Sequence, residues 1–310
     1  MKKIMAILLA GSLLIIAAGF EQTPNETRFR PTEFGNLFLK GEYEKIYNQT
    51  SDEFKAQVPL NDFMHVSGEF NKGVSKYRLE STILLSGNKQ YIWTDQSKTK
   101  GISVIVQADR TIAGLNLLPL EPHSQTDKYY TKNKYTMPVK NRWLVYWGGT
   151  NVLLNYHYAY ESQRYAYDLL QMKKGQTYKG NPLKNENYYA FGQQVAAPLE
   201  GTVIKTVDGL KDNVPGELNP DHPEGNYVVI KHKNGEYSIL AHFMKNSIKV
   251  REGEKVKTGQ ILGKCGNSGN STEAHIHFQV SSSPDIMTGK SIRIQFENGK
   301  EPVRGEYTRK

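Results

Sequence analysis

Between residues 225 and 242, two runs rich in β-branched and aromatic residues, Tyr227-Val228-Val229-Ile230 and Tyr237-Ser238-Ile239-Leu240, flank Asn234-Gly235. The central positions of a tight hairpin turn need positive φ, which Asn and Gly supply, so this spacing predicts a close antiparallel pair. His242 closes the second strand. A later run, Ala274-His275-Ile276-His277-Phe278-Gln279-Val280, follows a glycine-rich stretch and alternates imidazole with apolar side chains. Side chains alternate across a strand, so His275 and His277 share one face while Ile276 and Phe278 enter a core. Residues 196–204 read as a turn and a strand, residues 165–169 as a strand carrying Asp168, and residues 250–263 as short apolar runs divided by turn glycines. Two imidazoles on one face can divide the work of a hydrolytic zinc site, one holding the ion and the other a proton. Such a pair gains meaning only from partners elsewhere in the chain.

Those partners occur in order: Asp168, then Ala197-Pro198 with Gly201 and Val203, then His242, then the glycine-spaced run 253–263, then His275-Ile276-His277-Phe278. This order resembles the lysostaphin-like zinc metallopeptidases that cut peptidoglycan peptides, over roughly residues 137–295. The resemblance implies a mainly antiparallel β metallopeptidase domain with Zn2+ as cofactor. It makes Asp168 and His277 zinc ligands and sets His242 and His275 around the attacking water and the developing oxyanion. Zinc in such a site polarises the scissile carbonyl and lowers the pKa of water. Imidazoles titrate in the range useful for proton transfer. His275 is favoured as base and His242 as oxyanion support, an assignment that turns on tautomers set by neighbouring groups.

One position departs from the family. Its first ligand is a His four residues before the Asp, and here that residue is Arg164. A guanidinium has no lone pair to offer a metal. The substitute is His157, if a strand ending there and another beginning near Tyr165 bring His157 and Asp168 side by side across a hairpin. His157, Asp168 and His277 would then supply the three protein ligands of a catalytic zinc site. His222, in the Pro- and Gly-rich loop 219–225, is the rival, and a degenerate site lacking a third ligand is the other alternative.

The N-terminus has a basic start, an apolar run and small residues thereafter, which predicts a secretory signal over residues 1–19 and a polar tether over 20–30. The apolar run is shorter than the roughly 20 residues of an ordinary membrane span, and an uncleaved signal would leave the chain membrane-anchored. Localisation is therefore expected to be secreted or envelope-associated, outside the cytoplasm. Residues 31–120 carry apolar spacing for short helices at 34–39, 43–47 and 60–70, then strands at 77–85, 89–94 and 102–108. This is a small α+β module resembling cystatin-like or nuclear-transport-factor-like domains, so the whole chain is α+β. Residues 121–134 read as a linker, 135–295 as the zinc metallopeptidase domain and 296–310 as a C-terminal tail.

Other candidates are expected to be structural. Cys265 is the only cysteine, which excludes an intrachain disulfide and a thiolate metal cluster. His65 and His123 lie outside the matching region, and His232 beside the turn is expected to face solvent. Asn226 and Ser268 are candidates for shaping a substrate groove, and Arg164 either for holding a substrate carboxylate or for pairing with an acidic neighbour on a solvated face. With 40 basic against 31 acidic residues the formal net charge is +9. This favours anionic wall polymers as partners beside peptidoglycan. Dispersed Lys and Arg without an aromatic-basic module argue against nucleic acid. The chain thus reads as a monomeric zinc endopeptidase acting on peptidoglycan stem peptides or cross-bridges, the alternative being an inactive wall-binding or regulatory protein on the same scaffold.

Overall fold

A computed structural model describes residues 28–308, so the signal segment and most of the tether lie outside the described residues. The chain divides into two compact units, one ending at Pro122 and one beginning at His123.

In the first unit, helices α1 (Phe34–Leu39), α2 (Tyr43–Asn48), α3 (Asp52–Gln57) and α4 (Leu60–Asn71) precede an antiparallel meander of β1 (Tyr77–Leu85), β2 (Asn88–Asp95), β3 (Lys100–Val106) and β4 (Ile112–Pro119). Alternation puts Tyr91 and Trp93 of β2 opposite Val104 and Ile102 of β3, all on the side covered by Phe34, Phe38, Ile46 and Phe63. Gly35 is needed there, because a Cβ would come within 2.9 Å of the Trp93 ring. Helix α3, which the apolar spacing does not mark, is started by Ser51, whose hydroxyl accepts from Phe54 N at 3.2 Å.

The second unit is mainly antiparallel β, so the chain is α+β. Its strands are β5 (Tyr130–Tyr135), β6 (Leu144–Trp147), β7 (Tyr167–Leu170), β8 (Gln194–Ala196), β9 (Gly201–Val207), β10 (Asn226–Lys231), β11 (Tyr237–Phe243), β12 (Lys255–Val256), β13 (Ile261–Lys264), β14 (Ile276–Ser281) and β15 (Arg293–Phe296). Seven of them form one sheet in the order β12-β9-β10-β11-β14-β7-β6. Asn234 and Gly235 both have positive φ, 62° and 70°, but the loop between paired Lys231 and Tyr237 holds five residues rather than two. His232 N donates to Glu236 O at 2.8 Å, which draws the loop in to a three-residue turn, Lys233–Gly235.

Three readings of the sequence change here. His232 does not face solvent: it is buried, with Nδ1 2.8 Å from Glu200 O and Nε2 2.8 Å from Ser238 Oγ. The segment 121–134 is not a free linker, since β5 begins inside it and pairs in parallel with β15. Buried Glu236 also accepts from Asn133 N and Nδ2 and from the Tyr135 hydroxyl. Nor do residues 296–308 form a loose tail. Val145 N donates to Glu306 O at 2.9 Å and Thr308 N to Trp143 O at 2.8 Å, which closes the sheet beside β6. Both segments are polar in sequence and are ordered by pairing over more than 150 residues, which local pattern does not encode.

Candidate metal centre

The centre is built where β14 and β7 lie side by side. His277 is the direct register partner of Asp168, so the two side chains leave the sheet on one face, with His277 Nδ1 3.1 Å from Asp168 Oδ1. His157 reaches them differently from the expected hairpin. Residues 151–158 do not form a strand. The chain leaves β6, turns through residues 148–155, and presents His157 from a 3-10 turn, Tyr156–Ala159. Its Nε2 lies 3.7 Å from Asp168 Oδ2. One ligand atom from each of His157, Asp168 and His277 lies within 4.8 Å of the others, and all three residues are buried.

These donors fit a small divalent cation. Ligand atoms about 2.0–2.1 Å from a tetrahedral zinc stand about 3.3 Å apart, and the Asp168 carboxylate lies near that spacing from both imidazoles, Oδ1 3.1 Å from His277 Nδ1 and Oδ2 3.7 Å from His157 Nε2. His157 Nε2 is buried without a hydrogen-bond partner, while its Nδ1 is 2.8 Å from Asn155 Oδ1. A buried lone pair aimed at a carboxylate is costly unless something positive sits between them. Burial pushes the His157 pKa down to about 3 against the opposing field of Asp168, so the ring is neutral and its Nε2 is an acceptor. Burial alone would raise the Asp168 carboxyl, but His157, His275 and His277 hold it well below the usual range. Burial is likewise outweighed at His277, where the hydrogen bond and charge of Asp168 raise the imidazole.

His242 and His275 border the same cluster, with ring centroids 4.7 Å apart. His242 owes its position to a β-bulge. Pairing shifts between Asn226 and Tyr227, opposite Phe243 and Ala241, which leaves His242 as the extra residue with φ 69°. In regular alternation it would point away from the face that Ala241 shares with its partner His277; the bulge turns it back to 6.1 Å from the His277 ring. A left-handed non-glycine residue costs about 1–3 kcal/mol. The turn is held by His242 N donating to Glu224 O and by His242 Nδ1, 2.7 Å from Ser268 O. Gly225 permits this approach: its φ is 62°, and a Cβ would meet Ser268 O at 2.4 Å.

His275 stands just before β14, with Nδ1 2.9 Å from Glu273 O and Nε2 3.8 Å from Asp168 Oδ1. In both rings Nδ1–H is committed to a carbonyl, which leaves Nε2 as an acceptor. Burial, with His275 and His277 adding to it, holds the His242 pKa well below its ordinary value.

The remaining candidates fall outside the cluster. His222 is exposed on its loop. Arg164 is buried and donates through Nε to Tyr158 O at 3.2 Å, so it braces the turn that carries His157 rather than awaiting a substrate carboxylate. Asn226 and Ser268 are fully buried and bond each other and Phe243 O, which makes them fasteners of β10 and β11, not groove walls. Burial raises the Cys265 thiol well above its usual range, leaving it unreactive. Reading of the sequence passed over Asn155 and Gln279, both fully buried beside the histidines. Gln279 sits two residues from His277 on one strand face, a signal that was available; Asn155 lies in irregular backbone and carried none.

Residues 187–293 match peptidase family M23. Over 108 residues the chain is 36% identical to the Peptidoglycan DD-endopeptidase ShyA of Vibrio cholerae, covering 34% of this chain and 22% of that protein. Over 101 residues it is 29% identical to the Murein hydrolase activator NlpD of Salmonella dublin, covering 33% and 22%. The chain therefore spans about a fifth of the length of these curated relatives. The catalytic domain of lysostaphin from Staphylococcus simulans is similar at 21% identity and a TM-score of 0.28, covering 55% of this chain and 95% of that one. The family match contains His242, His275 and His277 and begins after His157 and Asp168. Within the second unit, residues 187–293 are thus similar to the peptidase domain of family M23.

Proposed function

We propose that the protein is a zinc-dependent endopeptidase that hydrolyses peptide bonds in peptidoglycan stem peptides or cross-bridges, working outside the cytoplasm. The observation that carries this reading is the convergence of His157, Asp168 and His277, with the His157 Nε2 lone pair buried and unmatched, beside two further imidazoles. In this reading His157 Nε2, Asp168 and His277 Nδ1 hold the ion. Bound zinc supplies a Lewis acid that polarises the scissile carbonyl and lowers the pKa of the attacking water. His275, whose side chain is 13% exposed, takes the proton from that water on Nε2, since its Nδ1–H is tied to Glu273 O. His242 is held neutral by burial, with Nδ1–H tied to Ser268 O, so its Nε2 is an acceptor and does not give the developing oxyanion the hydrogen bond expected of it. The proton that His275 takes from the water is the one it returns to the leaving amine as the carbon–nitrogen bond breaks.

The test is release of new amino groups from purified peptidoglycan by the full chain, with and without a zinc chelator, beside His275→Ala. The reading requires chelator-sensitive release that falls by about 10²–10⁴-fold in the variant. Wall binding without any release would instead establish the regulatory alternative, a role borne by the name of the relative NlpD.

A further inference from the structure

Two buried amides stand behind the two imidazoles of the cluster, and both are oriented by the same stretch of backbone. Asn155 Nδ2 faces three carbonyl oxygens, Gly149 O at 3.4 Å, Arg164 O at 3.3 Å and Ala166 O at 3.0 Å. Carbonyls only accept, so the amide orientation is fixed and Oδ1 must turn toward His157, where it accepts from backbone N at 3.2 Å and lies 2.8 Å from Nδ1. Gln279 repeats the arrangement from the other side. Its Nε2 donates to Ser162 O at 3.0 Å, which turns Oε1 to His277 Nε2 at 2.9 Å. The carbonyls of Ser162, Arg164 and Ala166 therefore belong to one segment, and that segment runs directly into Asp168.

We propose that Asn155 and Gln279 are positioning residues that fix the metal-binding imidazoles in opposite tautomers when an ion is bound, His157 with Nδ1–H and an unpartnered Nε2 for the ion, His277 with Nε2–H and the Nδ1 that faces Asp168 Oδ1 for the ion. Residues 162–166 are the frame that aligns both rings with Asp168. The geometry also accounts for the departure at Arg164. With no imidazole four residues before the Asp, its side chain braces Tyr158 O and its carbonyl holds Asn155. The third ligand is thus supplied by His157 on a turn clamped at both ends. Groups that orient a ligating histidine commonly contribute 10–100-fold to metal affinity.

This inference rests on the metal reading of the cluster but not on peptidase activity. Zinc affinity, measured by chelator competition on the full chain, is expected to fall about 10–100-fold in Asn155→Ala and in Gln279→Ala. Gln279→Glu keeps an acceptor for Nε2–H and should recover part of the loss. Asn155→Ser keeps a cap on the 3-10 turn but is too short to reach Nδ1, so it should fold and still bind zinc weakly. Nitrogen NMR of 15N-histidine-labelled protein supplies the signature: His157 with a protonated Nδ1 in the wild type and a tautomer mixture in Asn155→Ser. Wild-type zinc affinity in both folded amide variants, or a wild-type His157 protonated on Nε2, overturns the proposal. A protein that binds zinc as described and cleaves nothing sinks the peptidase reading and leaves this one standing.

Discussion

The two units bury different chemistry. The first packs rings, with Phe34 5.3 Å from Trp93 and Phe38 stacked edge-on to Tyr43, Phe70 and Tyr77. The second places Asp168, His277 and Gln279 in the middle strands of its sheet, each buried and each answering another polar group. An apolar core is non-directional and tolerates repacking. A buried polar set is stable only when its donors and acceptors are matched. The first unit therefore contributes stability that owes nothing to a ligand, whereas the second unit holds an unmatched His157 Nε2 that, on the proposed metal reading, an ion would satisfy.

That contrast breaks most readily in the first unit. Trp93→Ala should cost about 3–5 kcal/mol in its unfolding while leaving zinc content unchanged. A variant that lost zinc as well would show that the two units do not behave independently. In the second unit, free zinc at about 1,000 times its dissociation constant should raise stability by about 4 kcal/mol, read as an upward shift of that unit's thermal transition. An equal shift in the first unit, or none in either, would contradict the contrast.

The sequence carried the parts of this centre that follow strand period. Alternation put His275 and His277 together, and the position of Asp168 on its own strand allowed the two to meet in register. It did not carry the route of His157, because Asn151 to Tyr158 read as a strand and instead forms a loop and a 3-10 turn whose shape depends on Asn155 and Arg164. It did not carry the bulge at His242 either, since a one-residue insertion leaves no compositional trace. In the first unit Ile112 to Pro119 escaped notice because Gly114 and Pro119 dilute its strand character, although its pairing with β3 is continuous apart from one shift.

A smaller effect concerns Glu236, which fastens β5 to the hairpin. Glu236→Ala would strand the buried Tyr135 hydroxyl and remove an acceptor from half-buried Asn133, at a cost of about 1–3 kcal/mol to the second unit. Denaturant midpoints should show this with zinc affinity preserved; unchanged stability would mean that β5 is not held by this carboxylate. The smallest concerns Asp109 in the first unit. Burial would raise its carboxyl, but Thr111 and then Arg28 outweigh burial and hold it below the usual range. A depressed carboxyl stabilises the fold fully above its unfolded pKa and loses that contribution as pH falls through the folded one. Asp109→Asn should therefore lower first-unit stability by no more than about 1 kcal/mol at neutral pH, with the difference from wild type vanishing in acid. A difference that grew toward acid would reverse the sign of this account.

The most direct test of the three-residue centre is zinc content per chain after purification, compared among the wild type, His157→Ala and His222→Ala. The wild type and His222→Ala should each hold close to one zinc, and His157→Ala should hold little while its second unit remains folded. Full zinc in His157→Ala, with loss in His222→Ala, would move the third ligand to the exposed loop and contradict the centre described.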